Sequence, residues 1–76
     1  RNVMSKIIEE LRALKEREPF VSFVFILKDG RRIEVTRRLQ YGFSEHMMGV
    51  IDEDTDLVDP FRPSDIAEIQ ICHPVN

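Results

Sequence analysis

A chain of 76 residues with 42% hydrophobic and 33% charged side chains has the composition of one small soluble domain, which we place over residues 1–76. Its apolar runs are far too short to span a membrane, and its net charge is −3 at pH 7. The single cysteine, Cys72, excludes an internal disulfide and favours a reducing, cytoplasmic setting.

The charges are unevenly distributed along the chain. Residues 28–38 carry five basic and two acidic side chains, whereas residues 45–68 carry eight acidic side chains and one arginine. Opposite charges on one small domain predict head-to-tail contacts between copies, which close into a ring when the rotation allows. The alternative is that both sets of charges face water.

Residues 3–17 are predicted to form an amphipathic helix, because apolar side chains recur at helical spacing and charged ones fill the other positions. Pro19 prevents the helix from continuing. We expect this helix to pack on a sheet, and a helix offered to a partner protein is the alternative. The apolar positions are Val3, Met4, Ile7, Ile8, Leu11 and Leu14.

A β-hairpin is predicted over residues 20–36, where two β-type runs flank Asp29-Gly30. A two-residue type I′ turn would pair Phe25 with Glu34. A three-residue turn with Gly30 as the left-handed bulge residue instead pairs Phe25 with Ile33. We favour the three-residue turn, because it gathers the apolar side chains of both strands on one face.

The first strand of this hairpin stays apolar on its second face, at Val24 and Ile26. A strand that is apolar on both faces needs cover from a curled neighbouring strand, the helix or another subunit. This requirement favours a closed or covered sheet.

The remaining residues predict short strands separated by tight turns. One helix followed by five strands is the plan of a mostly β, α+β domain: an N-terminal helix and a strongly bent SH3/Sm-like barrel over residues 20–73. A flat α+β sheet is the alternative. The later elements are a bend at 37–42, strands at Phe43–Ile51, Leu57–Phe61 and Ile66–Cys72, and a 3₁₀ turn at Pro63–Asp65.

The chain resembles the Sm/Hfq-like RNA-binding family in plan and in its first motif. The run Phe23–Gly30, followed by Arg31–Ile33, is similar to the alternating strand and Leu-x-Asn/Asp-Gly turn of that family. Phe43 matches the loop aromatic of the family, and Ile66 and Ile69 match apolar positions of its last strand. The resemblance implies a small barrel, assembly into rings and RNA as a partner.

The sequence departs from the family at three places, one of which is the loop around Tyr41 and Gly42, where the acidic residue and the amide of the family are replaced. Val35 stands where the family has the glycine that relieves the bend of its second strand. Residues Arg62–Asp65 replace the Tyr-Lys-His-Ala stretch of bacterial members, so the basic residue and histidine that help bind uridine-rich RNA are missing. Fold resemblance alone does not imply RNA binding.

An arginine cluster beside two aromatic residues is the best functional signal in the sequence. Guanidinium groups bind phosphate with paired hydrogen bonds, and aromatic rings stack on bases. The alternative is that the arginines solvate an edge strand or pair with acids. The candidate nucleic-acid contacts are Arg31, Arg32, Arg37 and Arg38, with Tyr41 and Phe43 as stacking residues.

No pattern indicates a metal, a cofactor, a small-molecule substrate or catalysis. Asp52, Asp54 and Asp56 imitate a calcium loop that lacks its glycine and its final glutamate. The candidates His46, Cys72, His73 and Ser44 lack ligand or catalytic spacing. We therefore predict a non-enzymatic, self-assembling module that contacts RNA. The alternative is a protein–protein adaptor that uses Val24 and Ile26 or the helix.

Overall fold

The computed structural model describes residues 3–72, with the side chains of residues 6–72. Within this range one helix is followed by six strands, which form two antiparallel sheets of three strands each. The predicted mostly β, α+β domain is confirmed, and the predicted number of five strands is wrong. The elements are α1 (Val3–Glu16), β1 (Phe23–Leu27), β2 (Arg32–Val35), β3 (Tyr41–Phe43), β4 (Met48–Ile51), β5 (Val58–Phe61) and β6 (Ile66–Ile71), with 3₁₀ turns at Arg38–Gln40 and Pro63–Asp65.

Helix α1 packs its apolar stripe on the core, as its periodicity predicts. Leu11 and Leu14 are buried, and Ile7 and Ile8 pack against them at the margin. The helix also contacts the Pro63–Asp65 turn. The predicted core positions Val3 and Met4 lie outside the described side chains.

The hairpin of β1 and β2 has the predicted three-residue turn. Phe25 pairs with Ile33, and Phe23 pairs with Val35. Gly30 has a φ of +95° and donates its N–H to the Leu27 carbonyl over 2.9 Å. This left-handed conformation is the reason that a glycine is needed here.

Strand β1 is central in the first sheet, which has the order β2-β1-β6. The two apolar residues on the outer face of β1 are already shielded from water within this chain. Val24 is 8% exposed and Ile26 is half-buried. Glu34 and Gln70 flank Val24 in the neighbouring strands. Long side chains of neighbouring strands shield apolar groups in this way.

The predicted strand Phe43–Ile51 is wrong, because it is a hairpin of β3 and β4. The chain reverses at residues 44–47, where the Ser44 N–H donates to the Met47 carbonyl over 2.7 Å. The Ser44 hydroxyl accepts from the Met47 N–H over 3.3 Å. The hairpin continues to β5, which gives the second sheet the order β3-β4-β5.

The later predictions hold more closely. The fourth predicted strand is β5, and the Pro63–Asp65 turn is a 3₁₀ turn in which the Asp65 carboxylate accepts the Arg62 N–H over 3.0 Å. The last predicted strand ends at Ile71 as β6. His73, the predicted end of the barrel, lies outside the described residues.

Aromatic side chains form the centre of the core and join the helix to both sheets. The Phe25 ring meets the rings of Phe23, Tyr41 and Phe61 edge to face, with centroids between 5.1 and 6.0 Å apart. Such pairs contribute about 1 kcal/mol each beyond the area that they bury. No described helix has the length and apolar character needed to cross a membrane.

Candidate functional site

The two sheets are joined by one buried polar side chain, Gln40, at the end of the first 3₁₀ turn. Its amide nitrogen donates to the Glu34 carbonyl of β2 over 3.1 Å and to the Ile51 carbonyl of β4 over 2.9 Å. Its amide oxygen accepts the Thr36 N–H over 2.8 Å. Gln40 is 6% exposed, so these bonds lie largely out of water. The amide therefore fixes the bend between β2 and β3.

Among the described strands, β2 lies at the edge of its sheet, and its outer side has no neighbour there. The Leu27 N–H donates to the Arg31 carbonyl over 2.8 Å, so these two residues form a hydrogen-bonded pair of the ladder. Because bonding alternates in an antiparallel ladder, the main-chain groups of Arg32 and Glu34 point away from β1. The bond from Gln40 to the Glu34 carbonyl agrees with this alternation.

A cleft of about 300 Å³ lies beside this edge, between β2 and strands β4 and β5. The residues that line it are strongly acidic, with five acidic residues and one arginine. The charged residues are Glu34, Asp52, Glu53, Asp54 and Asp59, with Arg32.

Two of the predicted RNA-contacting arginines form ion pairs at the margins of the cleft. The Arg31 guanidinium lies 3.1 Å from Asp29 and 3.4 Å from Asp59. The Arg37 guanidinium lies 2.6 Å from Glu53. The main-chain N–H of Arg31, with its guanidinium beside it, lowers the pKa of Asp29. These pairs link the basic and acidic segments within one chain.

Arg38 is engaged by the C-terminus of α1. Its guanidinium donates to the carbonyls of Lys15 over 2.8 Å and Arg17 over 2.7 Å. It also lies 3.0 Å from the Glu18 carboxylate. Terminal helix carbonyls lack intrahelical donors, and Arg38 supplies them.

Lys15 makes the reciprocal contact. Its ammonium donates to the carbonyls of Arg38 and Tyr41 and lies 4.4 Å from the centroid of the Tyr41 ring. Desolvation, with the Arg38 charge as a second cause, lowers the pKa of Lys15. Helix α1 and the bend are thus bonded in both directions.

The two predicted stacking residues belong to the core. Tyr41 is 2% exposed, and its hydroxyl donates to the Leu11 carbonyl over 2.8 Å. Burial raises the pKa of Tyr41 to about 12. The half-buried Phe43 ring stacks on Tyr41 with centroids 6.0 Å apart. A base therefore has only partial access to the Phe43 ring and none to the buried Tyr41 ring.

The exposed Arg32 differs from the other three arginines. In the part of the chain that the structure describes, it forms no ion pair within 4.0 Å. The structure brings Arg31, Arg32 and Arg37 to the cleft margins and keeps Arg38 apart from them.

The outer face of the second sheet is apolar, a feature that the sequence did not single out. Gly42 pairs with Gly49, and Gly49 pairs with Pro60, so a row without long side chains crosses the sheet. A Cβ on Gly49 would lie 2.8 Å from a methyl group of Val58, so the Val58 side chain packs directly over Gly49. Leu39 and Val58 beside the row are 83% and 61% exposed. We call this surface, formed by Leu39, Gly42, Gly49, Ile51, Val58 and Pro60, the glycine face.

The Asp52–Asp56 segment is a turn that is stabilised by hydrogen bonds from its own main chain to the Asp52 side chain. The Asp52 carboxylate accepts the N–H groups of Asp54 and Thr55 over 2.8 and 3.3 Å. Among the described residues, no group of three or more side chains has the arrangement of a metal site. The His46 imidazole lies 3.3 Å from the carboxylate of the neighbouring Glu45 in an exposed loop, and His73 lies outside the described residues.

No protein-family model, curated protein or solved structure matches this chain. Its residues and geometry define a small, mostly β domain with two distinctive surfaces, the cleft beside β2 and the glycine face. Sequence reasoning missed Gln40, whose only signal was an uncharged amide inside an arginine-rich bend.

Proposed function

We propose that this protein is a non-enzymatic binding module that self-associates, with its two sheets arranged as an SH3/Sm-like small barrel. Three features of the chain order support this barrel. Strand β2 leads through the 3₁₀ turn at Arg38–Gln40 into β3 of the other sheet, β6 returns to pair with β1, and a second 3₁₀ turn precedes β6. The short turn before the last strand is a feature that the Sm/Hfq-like resemblance includes.

The glycine face carries the proposal of self-association. Exposed leucine and valine side chains border a shallow, mainly apolar cavity of about 440 Å³, whose lining also includes Lys15 and Gln40. A contiguous apolar patch on a folded domain is a mark of an interface. The flat row at Gly42 and Gly49 lets a second copy approach closely, and a two-fold axis would bury the same surface on both copies.

The exposed edge of β5 is poorly suited to pair with a strand of a second copy, which favours association through the glycine face. The Asp52 N–H donates to the Leu57 carbonyl over 2.8 Å, so alternation directs the main-chain groups of Val58 and Pro60 away from β4. Pro60 lacks the N–H that an added strand requires. A ring of Sm type, built by strand pairing at this edge, would lose that hydrogen bond.

Val58→Glu is expected to weaken self-association by at least about tenfold, because it places a charge in an apolar contact. Sedimentation velocity over a micromolar to millimolar range measures the dissociation constant. Val58 is 61% exposed, so the monomer should keep its circular dichroism spectrum.

Met47→Glu is the matched control, since Met47 is 49% exposed in the β3–β4 turn and lies outside the glycine face. An equal loss in both variants would contradict the proposed surface. A wild-type protein that stays monomeric at 1 mM would overturn self-association itself.

RNA binding at the cleft margins is the second candidate function. The observation that favours it is the exposure of the cations: the side chains of Arg31 and Arg37 are 51% and 71% exposed in spite of their ion pairs. Arg32 adds a third exposed guanidinium. The acidic lining of the same cleft opposes a polyanion.

A double variant, Arg32→Ala with Arg37→Ala, tests this candidate. If RNA binds there, affinity for a labelled uridine-rich oligomer falls steeply with salt and drops by an order of magnitude in the variant. Arg12→Ala, on the exposed face of α1, is the control. Absence of binding at low salt, or equal losses in the two proteins, would exclude this site.

A further inference from the structure

We propose that the outer edge of β2 binds an extended, basic peptide segment as an added strand, which lies in the acidic cleft. This inference goes beyond the proposed self-association, because it concerns a different surface and a different partner. It rests on the main-chain groups of β2, on the cleft and on the charges that line it.

The Gln40 side chain already forms β-type hydrogen bonds at one end of the β2 edge. The Gln40 amide donates to the Glu34 carbonyl and accepts from the Thr36 N–H, as a strand residue would. The alternation leaves the Glu34 N–H and both main-chain groups of Arg32 directed into the open side. A bound peptide would extend this pattern by bonding to the main-chain groups of Arg32 and to the Glu34 N–H.

The cleft leaves room for a short part of that strand. Its volume of about 300 Å³ is at the lower end of the range for ligand sites, which suits a short segment. The half-buried residues Ile33 and Ile51 line the cleft beside the β2 edge, and Ile51 also borders the glycine face. Addition of a strand to an exposed edge takes its affinity from the main chain and its specificity from alternate side chains.

The charges select a basic segment. Five acidic residues line the cleft, against one basic residue, Arg32, among the described residues of the lining. Arg37 pairs with Glu53, and Arg31 reaches Asp59 at 3.4 Å, which leaves Glu34, Asp52 and Asp54 without an arginine or lysine within 4.0 Å among the described residues. Because alternate residues of a strand share a face, lysine or arginine at every second position would meet these acids.

The test uses the full chain and a seven-residue peptide of alternating lysine and valine, acetylated and amidated at its ends. Two further peptides of the same charge carry N-methyl groups on alternate amides, one on the odd positions and one on the even positions. We expect one methylated peptide to bind at least about tenfold more weakly and the other to bind like the parent, since only one set of amides faces β2.

Amide NMR locates the site. On binding, the N–H signals of Arg32 and Glu34 should shift and gain protection from hydrogen exchange. If both methylated peptides bind like the parent, attraction is electrostatic only and the added strand is excluded. Absence of binding at 1 mM, or shifts confined to the glycine face, would also overturn the proposal.

A second experiment measures peptide affinity in variants that lack two of the acidic charges. Glu34→Gln with Asp54→Asn should weaken binding of the parent peptide about tenfold at low salt, because both acids line the cleft. Glu9→Gln with Glu45→Gln removes the same charge from exposed sites elsewhere and should leave affinity unchanged. Equal losses would contradict the site. Val58→Glu should bind the peptide normally, so failure of self-association would not affect this result.

Discussion

Gln40→Ala is expected to lower the free energy of unfolding by about 3 kcal/mol, which is a large effect for one position in a turn between strands. The change removes the partner of two carbonyls and of the Thr36 N–H, in a place where the side chain is 6% exposed. Urea denaturation at pH 7, followed by circular dichroism, measures the loss. A change below about 0.5 kcal/mol would show that water replaces the amide without cost.

Gln40→Glu is the isosteric control for this role. It keeps the size of the side chain and the acceptor, but it removes both donors and directs a carboxylate at the carbonyls of Glu34 and Ile51. Burial near two carbonyl oxygens should raise the pKa of the introduced carboxyl. We therefore expect Gln40→Glu to be at least as destabilised as Gln40→Ala at pH 7 and to recover relative to wild type as pH falls.

The neighbouring residues Arg37 and Arg38 are expected to differ sharply on replacement by alanine. Arg38→Ala should cost about 2 kcal/mol, because Arg38 donates to two carbonyls at the C-terminus of α1 and is 35% exposed. Arg37→Ala should cost less than about 0.5 kcal/mol, because its pair with Glu53 lies in water. Urea denaturation at neutral pH compares the two variants.

Arg38→Lys separates charge from geometry. Lysine keeps the positive charge but cannot present the planar fork that reaches both the Lys15 and the Arg17 carbonyls. We expect it to recover less than half of the lost stability. Equal stability of Arg37→Ala and Arg38→Ala would contradict the assigned difference, and full recovery by lysine would assign the effect to charge alone.

Local patterns in the sequence predicted the first hairpin down to its register. The apolar alternation on both strands and a glycine three residues after Leu27 allow few arrangements, and the pairing of Phe25 with Ile33 follows from them. The 3₁₀ turn at Pro63–Asp65 was equally local, since proline and aspartate specify it within four residues.

The hairpin of β3 and β4 was missed because apolar residues on both sides of its turn suggested one continuous strand. Ser44 closes the turn with the Met47 main chain, and this bond becomes visible only when the strands pair. The polar run at residues 44–46 was the available signal.

Most of the candidate site could not be predicted, because it depends on contacts between distant segments. The hydroxyl of Tyr41 finds its acceptor at Leu11, and Arg38 finds its acceptors at Lys15 and Arg17. From sequence alone these residues indicated an RNA surface, because burial depends on partners that lie more than 20 positions away. The cleft also depends on how β2 and β5 approach each other.

The reciprocal bonds of Lys15 and Arg38 have a consequence for local opening of the chain. Each side chain donates to a carbonyl of the other residue, so neither the last turn of α1 nor the bend can detach without breaking bonds of both. The two segments should therefore act as one cooperative unit, although more than 20 residues separate them. Since the bend also carries Gln40, fraying of the helix end would loosen the junction between the sheets and, with it, the cleft.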